Sequence, residues 1–509
     1  MMQNKMKLLH IIIILLGIIF ISIPIFHNQL WFDESYSVGM ANKSFVDIWN
    51  IGSNDVHPVL YYWILHLIYL IFGSNIYLYR FASMIPIVLL GILGYTHIKK
   101  DFGEKVGMLV SFFTFFLPIS CVYSGEIRMY TWAMLFVTIM AIYAYRIYKN
   151  PTNKNWIIFA IFSLASAYTH YYGLATAGVI NLILFIYLIR KLLKTDKKSE
   201  QYNCYIKQLK KFTTSAVIQI LLYIPWLYFL ILQFGGVSKG FWIQDPSFKL
   251  LLQIFCFQFT GNLDIMFVPQ SVAILLGIIL LTYIIYSKIN YRKILKSENK
   301  DPKEAIAGYL AIGIYMIVFI VLFIISIKTA ILYARYFLNL TGLFIFFMAF
   351  FMAKGGRKIL TIIVCSITLI VAVFVNANCT KMNYADNNKE PLQYVKQDLK
   401  DDDIILFDNK ASGFVISMQL PNIANCFYDI ENWDVEPEYK AFGKDMLYIR
   451  SLEELQNYKG RLWIISSNNY NIYEQFKDMY TNNINLIKQD VIYTEYHGYS
   501  YSITLIDKM

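Results

Sequence analysis

The chain has 509 residues, of which 57% are hydrophobic and 16% are charged, with a mean hydropathy of +0.47. This apolar fraction is too large for one soluble core, so the composition excludes an ordinary globular protein. The net charge of +11 is unevenly divided, because residues 1–378 carry 32 basic and 14 acidic side chains whereas residues 379–509 carry 13 and 20. A membrane part with basic loops and an acidic soluble tail explains this distribution better than nucleic-acid binding does.

Apolar runs long enough to cross a bilayer, which takes about 20 residues per helix, predict about eleven transmembrane segments. The first run follows Lys5 and Lys7 and could be a signal peptide, but its length and the lack of a small-residue cleavage site before Trp31 favour a retained anchor. The predicted spans are 8–26, 80–98, 106–121, 130–148, 156–169, 173–189, 213–232, 267–287, 305–327, 336–353 and 359–377.

The apolar segment 59–72 would extend only about 21 Å as a helix, less than the roughly 30 Å of hydrocarbon in a bilayer. If it lies along the membrane surface, 25 of the 32 basic residues in 1–378 fall on one side, which the positive-inside rule makes the cytosolic side. If the segment instead crosses the membrane, 23 of those 25 basic residues fall on the extracytoplasmic side. We therefore predict an interfacial helix, a cytosolic N-terminus, and outer loops and a C-terminal tail on the extracytoplasmic face.

The first predicted outer loop carries an acidic pair, Asp33 and Glu34, just beyond a transmembrane helix. Adjacent carboxylates at a membrane boundary are costly unless they are solvated or used. A simple water-facing boundary is one reading of this pair. The surrounding aromatic residues and the nearby His57 favour a site.

Two arginines fall on the predicted outer face, against the charge bias. They are Arg128, in a turn with Glu126 and Tyr130, and Arg335. Such an arginine either pairs with an outer carboxylate as a structural ion pair or binds a phosphate, for which a guanidinium fork is well shaped. Both readings of Arg128 stay open at this point.

His170 and Tyr171 lie at the tip of a predicted helical hairpin on the same face. A lone histidine is more often a hydrogen-bonded structural residue than a catalyst, but here it shares a face with the other polar turns. The loop 233–266, with Trp242 and Gln244, is polar and aromatic enough to gate or line a cleft.

Carboxylates, imidazoles, arginines and tyrosines at one membrane boundary suit a substrate with a lipid tail, a phosphate and a sugar. A carboxylate can deprotonate an acceptor hydroxyl, and cations can stabilise a departing phosphate. Taken alone, these residues predict an enzyme or a transporter of an anionic amphiphile.

The chain resembles the GT-C superfamily of integral membrane glycosyltransferases in the order of six segments within residues 8–350. These segments are WFDES, DVHPVLYYW, LYRFAS, VYSGEIRMYTW, THYYG and ARYF. The similarity is greatest to its family 39-like members, the protein O-mannosyltransferase and lipid A aminoarabinose transferase branches. The resemblance implies a polytopic α-helical fold, a polyprenyl-phosphate sugar donor, and inverting transfer to a glycan, lipid or protein acceptor. Branches differ in their need for a divalent cation, so no cofactor is assigned.

The resemblance also assigns roles to residues of this chain. It implies Asp33 as general base or acceptor-orienting group and Arg128 at the donor phosphate, while its proline-aromatic stretch includes His57, where relatives vary. The predicted site residues are Asp33 and Glu34 as catalytic groups, Arg128, Arg335 and Tyr130 at the donor phosphate, and His57, Tyr61, Tyr62, Glu126, His170, Tyr171, Trp242 and Gln244 at the substrate.

Residues 379–509 are predicted to form an extracytoplasmic accessory α/β domain, separate from a membrane domain of residues 1–378. Buried strands are expected at 403–408 and 461–466, helices near 411–420 and 471–480, and one or two strands in 491–506. No glycine-rich phosphate loop follows either strand, so we expect a role in acceptor recognition or in packing over the outer loops. Cys379 and Cys426 could form a disulfide there.

Other functions remain open for this sequence. A transporter or flippase of lipid-linked glycans would have charges inside its helices and repeats between its halves. A polymerase or ligase would use a pyrophosphate-linked oligosaccharide and would carry more basic outer loops. A non-catalytic scaffold would leave the outer carboxylates and arginines unexplained.

Overall fold

The computed structural model describes the chain except residues 1, 239–241, 261–266, 299–303, 409–410, 421, 431, 433–438, 443–445, 468–471 and 482. Parts of the predicted loop 233–266 therefore lie outside the described residues. The chain divides into two compact units. The first contains residues 1–24, 56–61 and 81–377, and the second contains residues 25–55, 62–80 and 378–509. A domain boundary at residue 378 stays a prediction, since the second unit also takes in two earlier segments.

Within the described ranges, nine helices are long and apolar enough to cross a bilayer. The chain is therefore a multi-pass membrane protein with a C-terminal α/β domain, as the sequence predicted. The nine spans are Asn4–Ile25, Ile76–Phe102, Tyr130–Lys149, Tyr171–Lys194, Glu200–Val237, Gln270–Ser297, Ala305–Ser326, Ala334–Gly355 and Lys358–Asn383.

Two further predicted spans are helical but shorter. The first is α7 (Glu104–Phe116), which is followed by α8 (Pro118–Tyr123) after Leu117, whose backbone is extended (ψ 131°). Pro118 lacks an N–H and is tolerated at the first position of the new helix. The second is α10 (Asn153–Thr169), capped by the Thr152 side chain, which accepts from the N–H of Asn155.

The remaining helices give the rest of the helical framework. Segment 59–72 is indeed helical, as α4 (Leu60–Phe72), but its position along the membrane surface stays a prediction. In chain order the other helices are α1 (Met2–Ser22), α2 (Phe32–Ala41), α3 (Phe45–Gly52), α4 (Leu60–Phe72), α5 (Ile76–Leu93), α6 (Lys99–Phe102), α9 (Tyr130–Lys149), α11 (Tyr171–Lys194), α12 (Glu200–Val237), α13 (Phe248–Thr260), α14 (Gln270–Ser297), α15 (Ala305–Ser326), α16 (Thr341–Gly355), α17 (Lys358–Asn383), α18 (Glu390–Lys396), α19 (Ala411–Met418) and α20 (Ile472–Tyr480).

The second unit contains a six-stranded mixed sheet of order β3-β2-β1-β4-β6-β5. The first four positions run parallel, whereas β6 pairs antiparallel with both β4 and β5. The strands are β1 (Ile404–Asp408), β2 (Ala424–Tyr428), β3 (Met446–Ile449), β4 (Gly460–Ser467), β5 (Ile484–Tyr493) and β6 (Ser500–Lys508).

The predicted strands at 403–408 and 461–466 and the helices after them are confirmed as β1, β4, α19 and α20. Both strands are apolar runs because helices or loops cover a parallel sheet on both faces. Strands β2 and β3 were not predicted. They are only 5 and 4 residues long, too short for a clear periodic signal. Cys379 and Cys426 are free, buried cysteines, so no disulfide joins them.

A buried carboxylate joins the start of β1 to β4. Asp403, only 1% exposed, accepts from Arg461 Nε at 2.8 Å and from Trp463 Nε1 at 2.7 Å. Burial alone would raise the pKa of Asp403, but the hydrogen bonds from Arg461, the Lys400 N–H and Trp463 hold it below its usual value. The carboxylate is therefore ionised in the folded domain and stabilises this edge of the central strand pair.

We expect Asp403→Asn to lower the free energy of unfolding of the C-terminal domain by about 1–3 kcal/mol, since it weakens hydrogen bonds to a charged group. The contribution of Asp403 is present above its unfolded pKa of roughly 3.9 and is lost as pH falls through the lower folded pKa. Limited proteolysis of the full-length protein across pH 3–6 measures this. The exposed Asp402→Asn is the matched control, and equal effects of the two variants would contradict the assignment.

Candidate functional site

Three predicted site residues meet in the first unit. Arg128, in the turn before α9, is 3% exposed, and its Nη2 lies 3.4 Å from His57 Nε2. Because a guanidinium can only donate, the imidazole nitrogen accepts. The His57 and His170 rings lie 6.1 Å apart, centroid to centroid. The structure thus joins three segments that are distant in the chain around one guanidinium.

His170 is held by its position between two helices. It follows α10 and caps α11, and its Nδ1 accepts from the N–H of Tyr172 at 3.1 Å. Burial, the neighbouring His57 and Arg128 together hold the pKa of His170 well below 6.5. The ring is therefore neutral at neutral pH, and its proton is on Nε2 because Nδ1 accepts.

Tyrosine rings surround this histidine. The His170 ring lies 4.9 Å from Tyr336 and 5.7 Å from Tyr130, while Tyr336 packs edge-on against Tyr172 at 5.4 Å. Tyr336 comes from the 3₁₀ turn Ala334–Leu340 that precedes α16. These ring contacts hold the imidazole in place, so this side of the site is rigid.

The second predicted outer arginine is stacked on aromatic rings. The Arg335 guanidinium lies 4.9 Å from the Tyr333 ring centroid and 5.9 Å from that of Trp242, and the two rings meet edge-on at 4.9 Å. Trp242 is 52% exposed. A guanidinium stacked on rings keeps its N–H edge directed away from them, which suits anion binding.

A cavity of about 130 Å³ opens beside the histidine pair in the first unit. Its walls are largely apolar, with His57, His170 and Tyr336 at its polar part and Phe234 and Leu322 among its apolar residues. Tyr171 also lines it, and its hydroxyl donates to Gln233 and accepts from Trp226 Nε1. An apolar cavity with a polar wall is the shape expected for part of an amphiphilic ligand.

Three other predicted residues of the first unit do not line this cavity. Tyr61 is fully buried, and its hydroxyl lies 3.2 Å from Ser83 Oγ. The Glu126 carbonyl accepts from the Arg128 N–H at 2.7 Å, which tightens the turn that carries the arginine. Gln244 is exposed, next to the cavity-lining Ile243. Substrate contacts for these three residues stay predictions.

In the second unit, Asp33 and Glu34 lie in the first turn of α2. The two residues before them pack against aromatic side chains of the C-terminal domain. Trp31 stacks on His497 with centroids 4.7 Å apart and an angle of 8°. Phe32 packs against Phe414 and Phe442, both at 5.5 Å. The segment before and within the first turn of α2 is therefore wedged between aromatic side chains of the C-terminal domain.

The Glu34 carboxylate is fully buried and forms an ion pair with Arg80 at 2.6 Å. The Arg80 guanidinium makes two bonds to this carboxylate, and its Nε donates to the His27 carbonyl at 3.1 Å. The Tyr496 hydroxyl donates to Glu34 at 2.9 Å. Burial and the nearby Glu34 carboxylate raise the pKa of Tyr496 well above 10.0, so this hydroxyl stays protonated.

Glu34 and Asp33 consequently have different environments. Glu34 is committed to Arg80 and Tyr496, whereas Asp33 is partly exposed in the same turn. Tyr62, predicted to contact substrate, is fully buried and packs edge-on against Tyr36 at 5.7 Å. Of the predicted residues in this unit, Asp33 is partly exposed, whereas Glu34 and Tyr62 are buried.

The turn Tyr496–Gly498, which connects β5 to β6, holds the acidic segment. His497 has a φ of +55°, an unusual conformation for a residue other than glycine. Two residues later, the Tyr499 hydroxyl accepts from the Phe32 N–H at 3.1 Å. Gly39, further along α2, allows close approach to the Ala441 carbonyl, where an added Cβ would lie 2.2 Å from the oxygen.

Sequence reasoning missed Arg80 and Tyr496 as parts of this arrangement. Arg80 had a signal, because it begins a predicted transmembrane run, and a charge there requires a partner. Tyr496 had none, since nothing local distinguishes it from the other tyrosines of the tail. Among the described residues, no group of three or more His, Cys, Asp or Glu side chains is arranged to hold a metal ion.

No protein-family model matches the chain, and no curated protein matches it in sequence. The solved structures that share its fold include two of one protein. ArnT from Cupriavidus metallidurans in the apo state superposes with a TM-score of 0.60 at 10% identity, covering 99% of this chain and 98% of that chain. The same protein bound to undecaprenyl phosphate gives 0.59 at 10% identity, covering 97% of each. This similarity establishes an ArnT-like fold.

We expect Arg80→Met to destabilise the protein by about 3–5 kcal/mol, because it leaves Glu34 buried without its counter-charge. Tyr496→Phe removes one hydrogen bond to a charged group and should cost about 1.5–3 kcal/mol. Thermal unfolding of the detergent-solubilised protein measures both.

The exposed Tyr493→Phe is the control for Tyr496→Phe. In a double-mutant cycle, Glu34→Gln combined with Arg80→Met should cost clearly less than the sum of the single changes, because both charges are then absent. Strict additivity would argue against the pairing.

Proposed function

We propose that this membrane protein is a glycosyltransferase that moves a sugar from a polyprenyl-phosphate donor to an acceptor on the extracytoplasmic face. The observation that carries the proposal is the buried guanidinium of Arg128 beside His57 and His170, next to an apolar cavity. The chain has the fold of ArnT, and an ArnT structure contains undecaprenyl phosphate. The fold supports a lipid-linked donor, and the residues support recognition of its phosphate.

The donor phosphate is assigned to Arg128, with Arg335 as a second cation. Arginine binds phosphate through two parallel N–H donors, and burial strengthens such a bond by removing competing water. The neutral imidazole of His170, which packs against the Tyr130 and Tyr336 rings, lies near this guanidinium. The apolar part of the cavity, including Phe234 and Leu322, suits the first isoprene units of the lipid.

The general base is assigned to Asp33 rather than to Glu34. The Glu34 carboxylate already accepts from Arg80 and Tyr496, and any proton it gained would disrupt a buried ion pair. Asp33 lies one residue earlier in the same turn and is partly exposed. Glu34 then acts as a positioning residue, which holds the first turn of α2 in place.

The transfer is a single displacement. The acceptor oxygen bonds to the anomeric carbon of the sugar, its proton passes to the Asp33 carboxylate, and the bond between that carbon and the phosphate oxygen breaks. The electron pair of this bond leaves with the polyprenyl phosphate. The arginines stabilise the growing phosphate charge, and attack from the opposite side inverts the anomeric configuration.

The orientation rests on the distribution of positive charges. With 25 of the 32 basic residues of residues 1–378 on the cytosolic side, the acidic turn of α2 and the Arg128 turn share the opposite face. The C-terminal domain packs with residues 25–55 in one unit, which supports the same side for both. A flippase, polymerase or ligase of lipid-linked glycans is the alternative. A flippase transfers no sugar and predicts no dependence on Asp33 as a base, whereas a polymerase or ligase would use a pyrophosphate-linked oligosaccharide donor.

We expect Asp33→Asn to lower sugar transfer by about 10²–10⁴-fold, the usual contribution of a general base. Transfer from a radiolabelled polyprenyl-phosphate sugar by the purified protein in nanodiscs measures this. Asp47→Asn is the matched control, because Asp47 is also in the first turn of a helix, α3, and is exposed. Undiminished transfer by the Asp33 variant would remove the base assignment.

We expect Arg128→Ala to weaken binding of polyprenyl phosphate by about 10- to 100-fold, since a charge-assisted bidentate contact is lost. Affinity can be measured by native mass spectrometry or by scintillation proximity with labelled lipid. Lys328→Ala removes an exposed cation from a predicted outer turn and should leave affinity unchanged. An equal loss in both variants would point to general charge attraction and against a specific phosphate contact.

A further inference from the structure

A second cavity, of about 200 Å³, lies in the second unit, among the C-terminal domain and the segment 28–30. It is smaller than the roughly 300–1,000 Å³ of pockets for drug-sized ligands, so it suits a ligand of about one sugar unit. None of the residues assigned to the donor lines it. This cavity has no role in the donor chemistry described above.

The described residues lining this cavity include two lysines, Lys389 and Lys396, and no aspartate or glutamate. The surrounding domain is acidic, with 13 basic and 20 acidic side chains in residues 379–509. The cavity is therefore a local reversal of the charge of its domain. Such a reversal favours an anionic ligand, because the rest of the domain surface repels one.

The lysines share one face of a helical segment. Lys389, Gln393 and Lys396 follow the spacing i, i+4, i+7 through the end of a 3₁₀ turn and α18, so all three line the cavity together. Amide side chains of Gln29 and Gln419 line it from two other segments. Ammonium groups bind an anion, while amides offer both donors and acceptors to sugar hydroxyls.

The lining of the cavity is connected to the acidic segment. Tyr496 lines the cavity, its N–H donates to Asn388, another lining residue, at 2.8 Å, and its hydroxyl donates to Glu34. The Arg80 guanidinium donates to the carbonyl of Gln29 as well as to Glu34. A ligand in this cavity would therefore contact residues that hold the first turn of α2.

We propose that this cavity binds an anionic sugar unit, one that carries a carboxylate or a phosphate. The sugar unit belongs to the acceptor, and this one part of the inference rests on the proposed function. The lysines bind the anionic group, and the amides bind the ring hydroxyls. The acceptor class is accordingly an acidic glycan or a glycosylated phosphate-bearing headgroup rather than a neutral protein side chain.

The test is equilibrium binding of three monosaccharides to the full-length protein in nanodiscs, measured by saturation-transfer NMR. Glucuronate carries a carboxylate, glucose 6-phosphate carries a phosphate, and glucose is the neutral sugar of the same ring. We expect at least one anionic sugar to bind saturably and more tightly than glucose, with affinity falling as salt is added. The anionic sugar that binds more tightly shows whether the site recognises a carboxylate or a phosphate.

The double variant Lys389→Gln with Lys396→Gln should weaken anionic-sugar binding by roughly tenfold or more, as expected for lost charge-assisted hydrogen bonds. Lys381→Gln with Lys400→Gln makes the same charge change at exposed lysines outside the cavity and should have no effect. All four lysines are exposed, so folding is not at risk.

Equal binding of glucose, equal loss in both double variants, or displacement by inorganic phosphate as effective as by the sugars would overturn the proposal. Binding requires no donor, so the outcome is separate from that of the transfer assay. A protein that binds anionic sugars but transfers none would retain this site and lose the proposed function. One that transfers sugar without binding these probes would lose the site alone.

Discussion

The burial of the Glu34 carboxylate with the Arg80 guanidinium is the constraint on which the second unit depends. Removing either charge from water is costly, and the cost is offset only when the pair is close and its remaining hydrogen bonds are made. Here Arg80 also donates to the backbone carbonyls of His27 and Gln29, and Tyr496 donates to the carboxylate. Residues near positions 30, 80 and 496 must therefore come together for the unit to fold, and this fixes the turn that carries Asp33.

The same principle separates the roles of the arginines. Arg80 forms an ion pair with a buried carboxylate, Arg128 lies beside an imidazole, and Arg335 lies over aromatic rings. A guanidinium can present two parallel N–H donors to two oxygens of a phosphate. The ion pair gives Arg80 a structural role, and the donor phosphate stays our proposal for Arg128 and Arg335.

Local signals predicted much of the architecture. The nine long helices of the described ranges and the strands β1 and β4 follow from hydrophobic runs, whose length and periodicity depend only on neighbouring residues. The short strands β2 and β3 escaped this reasoning because four or five residues carry little pattern. For the site, a shared predicted face led us to expect His57, Arg128 and His170 near one another, and the structure joins them. The same expectation for the acidic pair stays a prediction. Asp33 and Glu34 were both predicted to be catalytic groups, and the fold gives them different environments.

By itself, the sequence determined that the chain is a multi-pass membrane protein with an acidic α/β tail, because hydrophobicity and charge act through composition and short-range order. Only the tertiary structure decided which charges pair. Glu34 is 46 positions from Arg80 and 462 from Tyr496, and no local pattern links residues so far apart. Pairing in a buried environment depends on which surfaces meet when the chain folds. The physical distinction between Glu34 and Asp33, and the basic cavity in an acidic domain, therefore arise only in the folded molecule.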